Sequence, residues 1–184
     1  MEAHRPGHRL SYDRGSLIVV GPSAEHEHYK EFVFRLVLTL SEELGLALES
    51  RGATTFKNKL PGKGVEPDTC FYVQNASQVI GLRPARLRDN PPPDVVVEIG
   101  MGNDSLDKFH TYDAPGVPEI WRYDGETTHF YKLTGESYEV IQGSLAFPSL
   151  TPEDLTQHLE LSKTEGQTAA AKAFRQTLRS RNPS

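Results

Sequence analysis

Two acidic residues lie at the ends of apolar segments, where a carboxylate is unusual. Asp68 follows Pro67 just before the apolar run CFYV, and Glu98 closes the valine-rich run PDVVVE of residues 93–98. An unpaired charge among apolar neighbours costs free energy. Each carboxylate therefore needs either a partner that compensates its charge or a structural role in a turn.

A divalent cation is one partner that both acids can share. The alternation of a β-strand puts Glu98 on one face with Val96, while the residues on either side of Glu98 take the other face. If the strand that begins near Asp68 pairs beside the strand of residues 94–100, the two backbones lie about 5 Å apart. Carboxylates on such neighbouring strands suit a hard cation, Mg²⁺ or Mn²⁺.

Two carboxylates, a cation and a nearby lysine form the arrangement that phosphodiester hydrolysis requires. The cation lowers the pKa of a bound water and neutralises charge on the phosphate, and an ammonium group orients that water or stabilises the transition state. Lys108, on a helix predicted directly after the Glu98 strand, is the candidate ammonium group. We expect Asp68 and Glu98 to bind the metal, and Asp68, Glu98 and Lys108 to be catalytic.

Two alternatives stay open for these acids. Asp94 is a rival partner for Glu98, but four residues along a strand separate them by roughly 13 Å, which favours a role for Asp94 in the turn after the three prolines. In the other alternative these residues have only structural roles: Asp68 caps a turn, and Glu98 and Lys108 form an ion pair at the surface.

The start of the first predicted helix carries further polar candidates. His26 and His28 are two residues apart, point in different directions on a helix and so do not chelate together. His26 either handles protons or phosphate near the site, or is solvated at the helix start. Glu25 or Glu27 is a candidate for an extra carboxylate at the site.

Other side chains have both a chemical and a structural explanation. Cys70 is more typical of a small buried hydrophobe than of a nucleophile. Aromatic residues on predicted hairpin strands can stack on bases but more often fill the core; they are Trp121, Tyr123, Phe130 and Tyr131. Basic residues that either contact phosphates or are solvated are Lys57, Lys59, Lys63, Arg83, Arg86 and Arg88.

Composition narrows the class of protein. A chain of 184 residues suits one domain with a substantial core. The net charge of −5, from 25 acidic and 20 basic residues, lowers the expectation of nucleic-acid binding without excluding it. One cysteine, no signal-like start and no long apolar run predict a cytoplasmic protein with no membrane span.

A long amphipathic helix and a series of strands must position the acids. The helix is predicted after the N-cap Ser23, with apolar residues every four positions, and ends near Gly45. A hairpin around residues 61–64 is expected to carry Asp68 on its second arm. A second hairpin turns at residues 124–125, and SYEVIQG adds an edge strand.

The C-terminal part is predicted to be helical only at its start. A helix begins after Thr151, with Pro152 in its first turn, and a shorter helix is expected from about Ser105. We expect one domain over residues 9–160. A polar tail, residues 161–184, is expected to be partly helical or disordered.

Four blocks of the sequence resemble a known family in order along the chain. YDRGSLIVVGPSAEHEHYKEF, GVEPDTCFYVQN, PPPDVVVEI and SLDKFHTYDAPGVPEIWRYDG are similar to successive blocks of the Uma-two family of bacterial endonucleases, from about Arg9 to Leu159. The resemblance implies a restriction-endonuclease-like α/β (α+β) core, a mixed central β-sheet flanked by helices and carrying β-hairpins. It places the PD-(D/E)-x-K signature at Pro67, Asp68 and Glu98.

The resemblance implies a Mg²⁺- or Mn²⁺-dependent endonuclease that acts on DNA, and a homodimer is expected because two-fold duplex cleavage needs two sites. Gly100 stands where the signature has its lysine, so Lys108 takes that role here. In the family that the chain resembles, an aspartate often stands at the Gly100 position. The alternative function is therefore a catalytically inactive, dimeric binding or scaffold module of the same fold.

Overall fold

The computed structural model describes residues 9–13, 16–20, 23–53, 56–57, 64–82, 91–100, 109–112 and 116–181. Its strands are β1 (Arg9–Asp13), β2 (Ser16–Val20), β3 (Glu49–Ser50), β4 (Phe56–Lys57), β5 (Gly64–Val65), β6 (Thr69–Tyr72), β7 (Val95–Ile99), β8 (Glu119–Tyr123), β9 (Thr128–Thr134) and β10 (Ser137–Ile141). Its helices are α1 (Ala24–Leu44), α2 (Ala76–Val79), α3 (Phe109–Tyr112), α4 (Pro152–Glu165) and α5 (Gln167–Arg181).

A mixed sheet forms the centre of the molecule. Within the described residues it has six strands in the order β10-β9-β8-β7-β6-β3, in which β7 and β8 are parallel and the other neighbours antiparallel. All five residues of β7 are buried, as the valine run predicts for a strand covered on both faces. The predicted mixed sheet flanked by helices is confirmed.

Helices α1, α4 and α5 cover one face of this sheet. Ser23 caps α1 by accepting a hydrogen bond from the His26 N–H, and Gly45 ends the helix in the left-handed conformation at φ 62°. Both ends of α1 are thus where the sequence predicts them. The apolar residues of α1 pack on Val95, Val97 and Ile99 of β7.

The other face of the sheet carries a smaller apolar cluster. Val96 and Cys70 pack there with Tyr112 of α3 and with Val117 and Ile120. The alternation predicted for β7 is therefore observed, with Val96 on one face and its neighbours Val95 and Val97 on the other. The side chain of Glu98 lies on the same face as Val96, where it meets Tyr112.

The hairpin expected around residues 61–64 exists but does not carry Asp68. β4 pairs antiparallel with β5, and β5 also pairs with β1, so the described hairpin strands belong to a separate small sheet. Asp68 lies in the link of residues 66–68 between this sheet and β6. Pro67 explains the break, since a proline has no N–H to donate to a strand ladder.

The C-terminal segment differs most from expectation. Residues 167–181 form α5, whose apolar residues Ala170, Ala171, Phe174 and Leu178 are all buried in the main core. The expectation of a polar, partly helical or disordered tail over residues 161–184 therefore does not describe residues 167–181, which are helical throughout and packed on the core. The C-terminal end of this helix is also fixed, because Arg179 Nε lies 2.7 Å from Glu43 Oε2 on α1 and Arg181 pairs with Asp154 on α4.

Among the described residues, no helix combines the length and the apolar character needed to cross a membrane.

Candidate active site

The pairing of β6 with β7 brings the two acids together. The strands are antiparallel, with Thr69 opposite Val97 and Cys70 opposite Val96. The backbone N–H of Asp68 donates to the Val97 carbonyl at 3.1 Å, and one further step in the same register sets Asp68 against Glu98. The backbones of the two acids therefore lie opposite each other, with Glu98 in β7 and Asp68 in the link directly before β6.

The Asp68 carboxylate is buried, with 2% of the residue exposed, and is held on both oxygens. Its Oδ2 accepts the backbone N–H of Ile99 at 2.6 Å. Its Oδ1 lies 2.9 Å from Nε2 of His26, in the first turn of α1. Asp68 thus has specific partners, and the alternative in which it only caps a local turn does not describe its contacts.

Glu98 is buried equally well, with 1% of the residue exposed. The hydroxyl of Tyr112 in α3 donates to its Oε1. Sequence reasoning did not find Tyr112, because its contact with Glu98 depends on how the crossover between the parallel strands β7 and β8 returns to the sheet. The position of Tyr112 on the helix predicted after the Glu98 strand is the signal that points to it.

Arg122 lies beside Glu98 on the next strand. It is the register partner of Glu98 in the parallel pair of β7 and β8, and such partners project on the same face. Arg122 is itself buried, and its Nη1 lies 3.7 Å from Oδ2 of Asp124. No sequence pattern indicated this residue, because the register of a parallel pair is not encoded locally.

Asp94 has the structural role that its distance from Glu98 predicts. Its Oδ2 accepts the backbone N–H groups of Val73 at 2.7 Å and Asn75 at 3.0 Å, and its Oδ1 accepts the Asn75 side-chain amide at 2.7 Å. These bonds fix the turn that follows β6 rather than the turn after the prolines. Asp94 therefore belongs to the opposite end of β7 from Glu98.

The other polar residues at the start of α1 differ in whether they contact Asp68. His28 lies 3.3 Å from Ser162 Oγ and 3.2 Å from the Gln167 amide nitrogen, away from Asp68. Glu25 accepts the Tyr29 hydroxyl at 3.2 Å. Only His26 of this group contacts a candidate metal ligand, so the suggestion that it lies near the site is supported and simple solvation is not.

Glu27 is partly exposed and is paired on its own helix. Its side chain is 41% exposed and contacts the Lys30 ammonium group. Burial alone raises the pKa of this carboxyl, but the Lys30 contact outweighs burial and the pKa lies below its ordinary value. Glu27 Oε1 also lies 3.4 Å from Nδ1 of His26, so Glu27 is linked to Asp68 through the imidazole ring.

Cys70 and the aromatic candidates are core residues. Burial raises the pKa of the Cys70 thiol to about 12, which keeps it protonated and excludes a nucleophilic role at neutral pH. Trp121, Tyr123 and Phe130 are buried in the main hydrophobic cluster, where no base can stack on them. Tyr131 is half-buried against Phe109.

Some predicted residues lie outside the described part of the chain. Lys108 is one of them, so its position relative to Glu98 stays a prediction. The same holds for Lys59, Lys63, Arg83, Arg86 and Arg88, and for the side chain of Lys57.

The donor chemistry fits a hard cation that keeps much of its water. Among the described residues, no three His, Cys, Asp or Glu side chains form a ready-made metal cluster. Mg²⁺ is commonly bound by only one or two carboxylates, with water and substrate phosphate completing its coordination. Asp68 and Glu98 supply that set of two carboxylates.

Comparison with known proteins gives the family and the fold. Residues 1–164 match Uma2, a family described as "Putative restriction endonuclease". A crystal structure of "a putative nuclease belonging to DUF820" from Anabaena variabilis matches 82% of this chain and 90% of that chain, at 17% identity and a TM-score of 0.55. At that identity the match shows the fold, which is of the restriction-endonuclease type. Comparison with curated proteins gave no match.

Proposed function

This chain belongs to the Uma2 family, and from that membership we propose that it is a Mg²⁺- or Mn²⁺-dependent endonuclease that hydrolyses phosphodiester bonds in DNA. The observation that carries the proposal is the pairing of β6 with β7, which sets the backbone of Asp68, directly before β6, against Glu98 of β7. The catalytic domain expected at residues 9–160 then extends through α5, whose apolar residues are buried in the same core.

Asp68 and Glu98 would hold the cation from neighbouring strands, each oriented by a second group. Asp68 is fixed by the Ile99 N–H and by His26, and Glu98 by the Tyr112 hydroxyl. The cation, when bound, supplies an acidified water and offsets the negative charge of the scissile phosphate. Lys108 is proposed to orient the attacking water.

The second candidate function is the catalytically inactive, dimeric binding or scaffold module. Two observations favour it. Both carboxylates are almost fully buried, whereas phosphate must approach a catalytic metal. Arg122 is the register neighbour of Glu98, and a guanidinium there can neutralise the acid in place of a metal. Gly100, which stands where the signature has its lysine, adds to this case.

Nicking of supercoiled plasmid separates the two functions. Wild-type protein is incubated with Mg²⁺, with Mn²⁺ and with EDTA, beside Asp68→Asn and Glu98→Gln. The matched control is Asp94→Asn, since Asp94 is also a buried carboxylate on the β7 segment that accepts backbone N–H groups. Each variant is first shown to be folded by circular dichroism.

We expect metal-dependent nicking that Asp68→Asn and Glu98→Gln each reduce by at least about 100-fold. Asp94→Asn should retain it. Absence of nicking by folded wild-type protein under every condition would replace the endonuclease by the scaffold module. Equal loss in all three variants would show that the assay reports stability rather than chemistry.

The proposal includes a cytoplasmic homodimer. The one cysteine of the chain is buried and needs no oxidising compartment. Two symmetry-related sites are the simplest way to cut both strands of a duplex. Light scattering after size exclusion gives the mass in solution, and a mass near one chain of 20.5 kDa would contradict the dimer.

A further inference from the structure

We propose that His26 is a positioning residue for the metal site: it holds the Asp68 carboxylate in the orientation that binds the divalent cation. The inference rests on the function proposed above and adds to it a residue on α1, outside the strands that carry the two acids. It is argued from the contacts of one buried imidazole.

The His26 side chain contacts Asp68 from a position that the cap of α1 fixes. His26 lies in the first turn of α1, and its backbone N–H donates to the Ser23 hydroxyl at 3.1 Å, which ties it to the helix cap. Only 6% of His26 and 2% of Asp68 are exposed. At 2.9 Å, Nε2 of His26 and Oδ1 of Asp68 are therefore in direct contact in a site from which water is largely excluded.

The contact also fixes which nitrogen carries hydrogen. An ionised carboxylate only accepts hydrogen bonds, so the nitrogen that faces Asp68 must be an N–H donor. A protonated ring nitrogen has no lone pair to offer a metal. His26 in this arrangement therefore positions Asp68 and does not itself bind the cation.

Each oxygen of the carboxylate has a contact from a different element. The Ile99 N–H donates to Oδ2 at 2.6 Å, and Nε2 of His26 lies 2.9 Å from Oδ1. Contacts on both oxygens restrict the rotation of the carboxylate. A carboxylate oxygen can accept more than one bond, so these contacts are compatible with cation binding.

The far side of the ring faces a second carboxylate. Glu27 Oε1 lies 3.4 Å from Nδ1 of His26, and Glu27 is itself paired with Lys30 one turn along α1. The imidazole therefore lies between two carboxylates, the partly exposed Glu27 and the buried Asp68. Side chains that contact a metal ligand without touching the metal orient that ligand. Their removal commonly changes metal affinity by about 10- to 100-fold.

Titration of Mn²⁺ into the full-length chain, followed by calorimetry, tests the role of His26. The variants are His26→Ala, His26→Gln and His26→Asn. The glutamine amide nitrogen is as many bonds from Cβ as Nε2 is and can donate to Asp68, whereas the asparagine amide is one bond shorter. His28→Ala is the matched control, because His28 is on the same helix and contacts Ser162 and Gln167 instead.

We expect His26→Ala and His26→Asn to bind Mn²⁺ about 10- to 100-fold more weakly, and His26→Gln to recover most of the affinity. His28→Ala should match wild type. In plasmid nicking, the weak variants should need more Mn²⁺ for half-maximal rate and reach a similar plateau. If His26→Ala does not fold, the difference in Mn²⁺ affinity between His26→Gln and His26→Asn decides whether His26 has the positioning role.

The positioning role is overturned if folded His26→Ala binds Mn²⁺ as wild type does, or if His26→Gln is as weak as His26→Asn. Loss of affinity in His28→Ala equal to that in His26→Ala would also overturn it, since the effect would then belong to the helix. Failure of wild-type protein to bind Mn²⁺ would instead reject the metal-dependent function, and this inference with it.

Discussion

Each candidate metal-binding carboxylate is held by a side chain from a different helix. His26 of α1 contacts Asp68, and Tyr112 of α3 contacts Glu98. The two acids come from adjacent strands, but their orientation depends on elements far apart in the sequence. Substitutions that leave the acids in place should therefore still disturb the site.

Tyr112→Phe tests the second of these contacts. The change removes a hydroxyl that donates to a buried, ionisable acceptor, so we expect the free energy of unfolding to fall by about 1.5–3 kcal/mol. Tyr138→Phe is the control, because the Tyr138 hydroxyl donates to a neutral acceptor, the Val117 carbonyl at 2.7 Å. It should lose only about 0.5–1.5 kcal/mol.

Urea unfolding at pH 7 measures both variants. A loss in Tyr112→Phe that does not exceed the loss in Tyr138→Phe would show that the contact with Glu98 carries no particular weight. The Tyr112 contact would then be incidental to the site.

At the residue scale, the sequence identified the acids but not the residues that orient them. Glu98 and Asp68 were found because a carboxylate beside an apolar strand is unusual and because the alternation of β7 defines its faces. Tyr112 and Arg122 were missed because their contacts arise from a crossover and from a parallel register. Neither of these leaves a local pattern in the chain.

At the scale of elements, α5 is the helix whose burial the sequence pattern did not predict. Its apolar positions, residues 170, 171, 174 and 178, have helical spacing and are buried, but they stand in a segment rich in glutamine, arginine and serine. By contrast, α1 and α4 were found with their caps. Ser23 and Thr151 both accept the backbone N–H that the N-cap role requires.

Phe174→Ala tests whether α5 belongs to the core. Phe174 is fully buried and meets the His158 ring edge to face at 5.0 Å between centroids. We expect a loss of about 3–5 kcal/mol in the free energy of unfolding, from lost burial and the cavity that remains. The control Gln176→Ala changes an exposed position on the same helix and should stay within about 0.5 kcal/mol of wild type.

The result is read from urea unfolding curves of the three proteins. An unchanged midpoint for Phe174→Ala would contradict the packing of α5 on the sheet. The segment would then behave as the separate polar tail that composition alone suggests.

The end of α5 adds a pH-dependent contact. Arg181 donates to both oxygens of Asp154, at 2.7 Å each. Burial raises the pKa of the Asp154 carboxyl, but the bonds from Arg181 and Thr151 outweigh burial and hold the pKa below its ordinary value. Stability from such a group is present above its unfolded pKa, at about pH 4, and is lost as the pH falls through the folded value.

We expect Arg181→Ala to reduce the free energy of unfolding at pH 7 by about 1 kcal/mol, because the guanidinium is partly exposed. The difference from wild type should shrink as the pH falls below about 4. Urea unfolding across this range measures it. In an Asp154→Asn background, Arg181→Ala should have much less effect, and an equal effect would show that the two residues are not coupled.

At the scale of the whole molecule, the mixed sheet explains why the site lies where it does. The antiparallel pairing of β6 with β7 sets the two acids against each other, and the parallel pairing of β7 with β8 brings Arg122 beside Glu98. The strand at the centre of both pairings is the valine-rich segment, whose buried character the sequence predicts. The division of the hairpin strands and β6 between two sheets was not predicted, because only Pro67 marks the break.

The proposed function requires that Asp68 and Glu98 together bind a divalent cation. Anomalous diffraction at the manganese edge, from crystals grown with Mn²⁺, locates that cation. We expect an anomalous peak within about 2.0–2.4 Å of an oxygen of each carboxylate. A structure in which Mn²⁺ binds elsewhere, or in which Arg122 occupies the space between the two acids at saturating Mn²⁺, would contradict it.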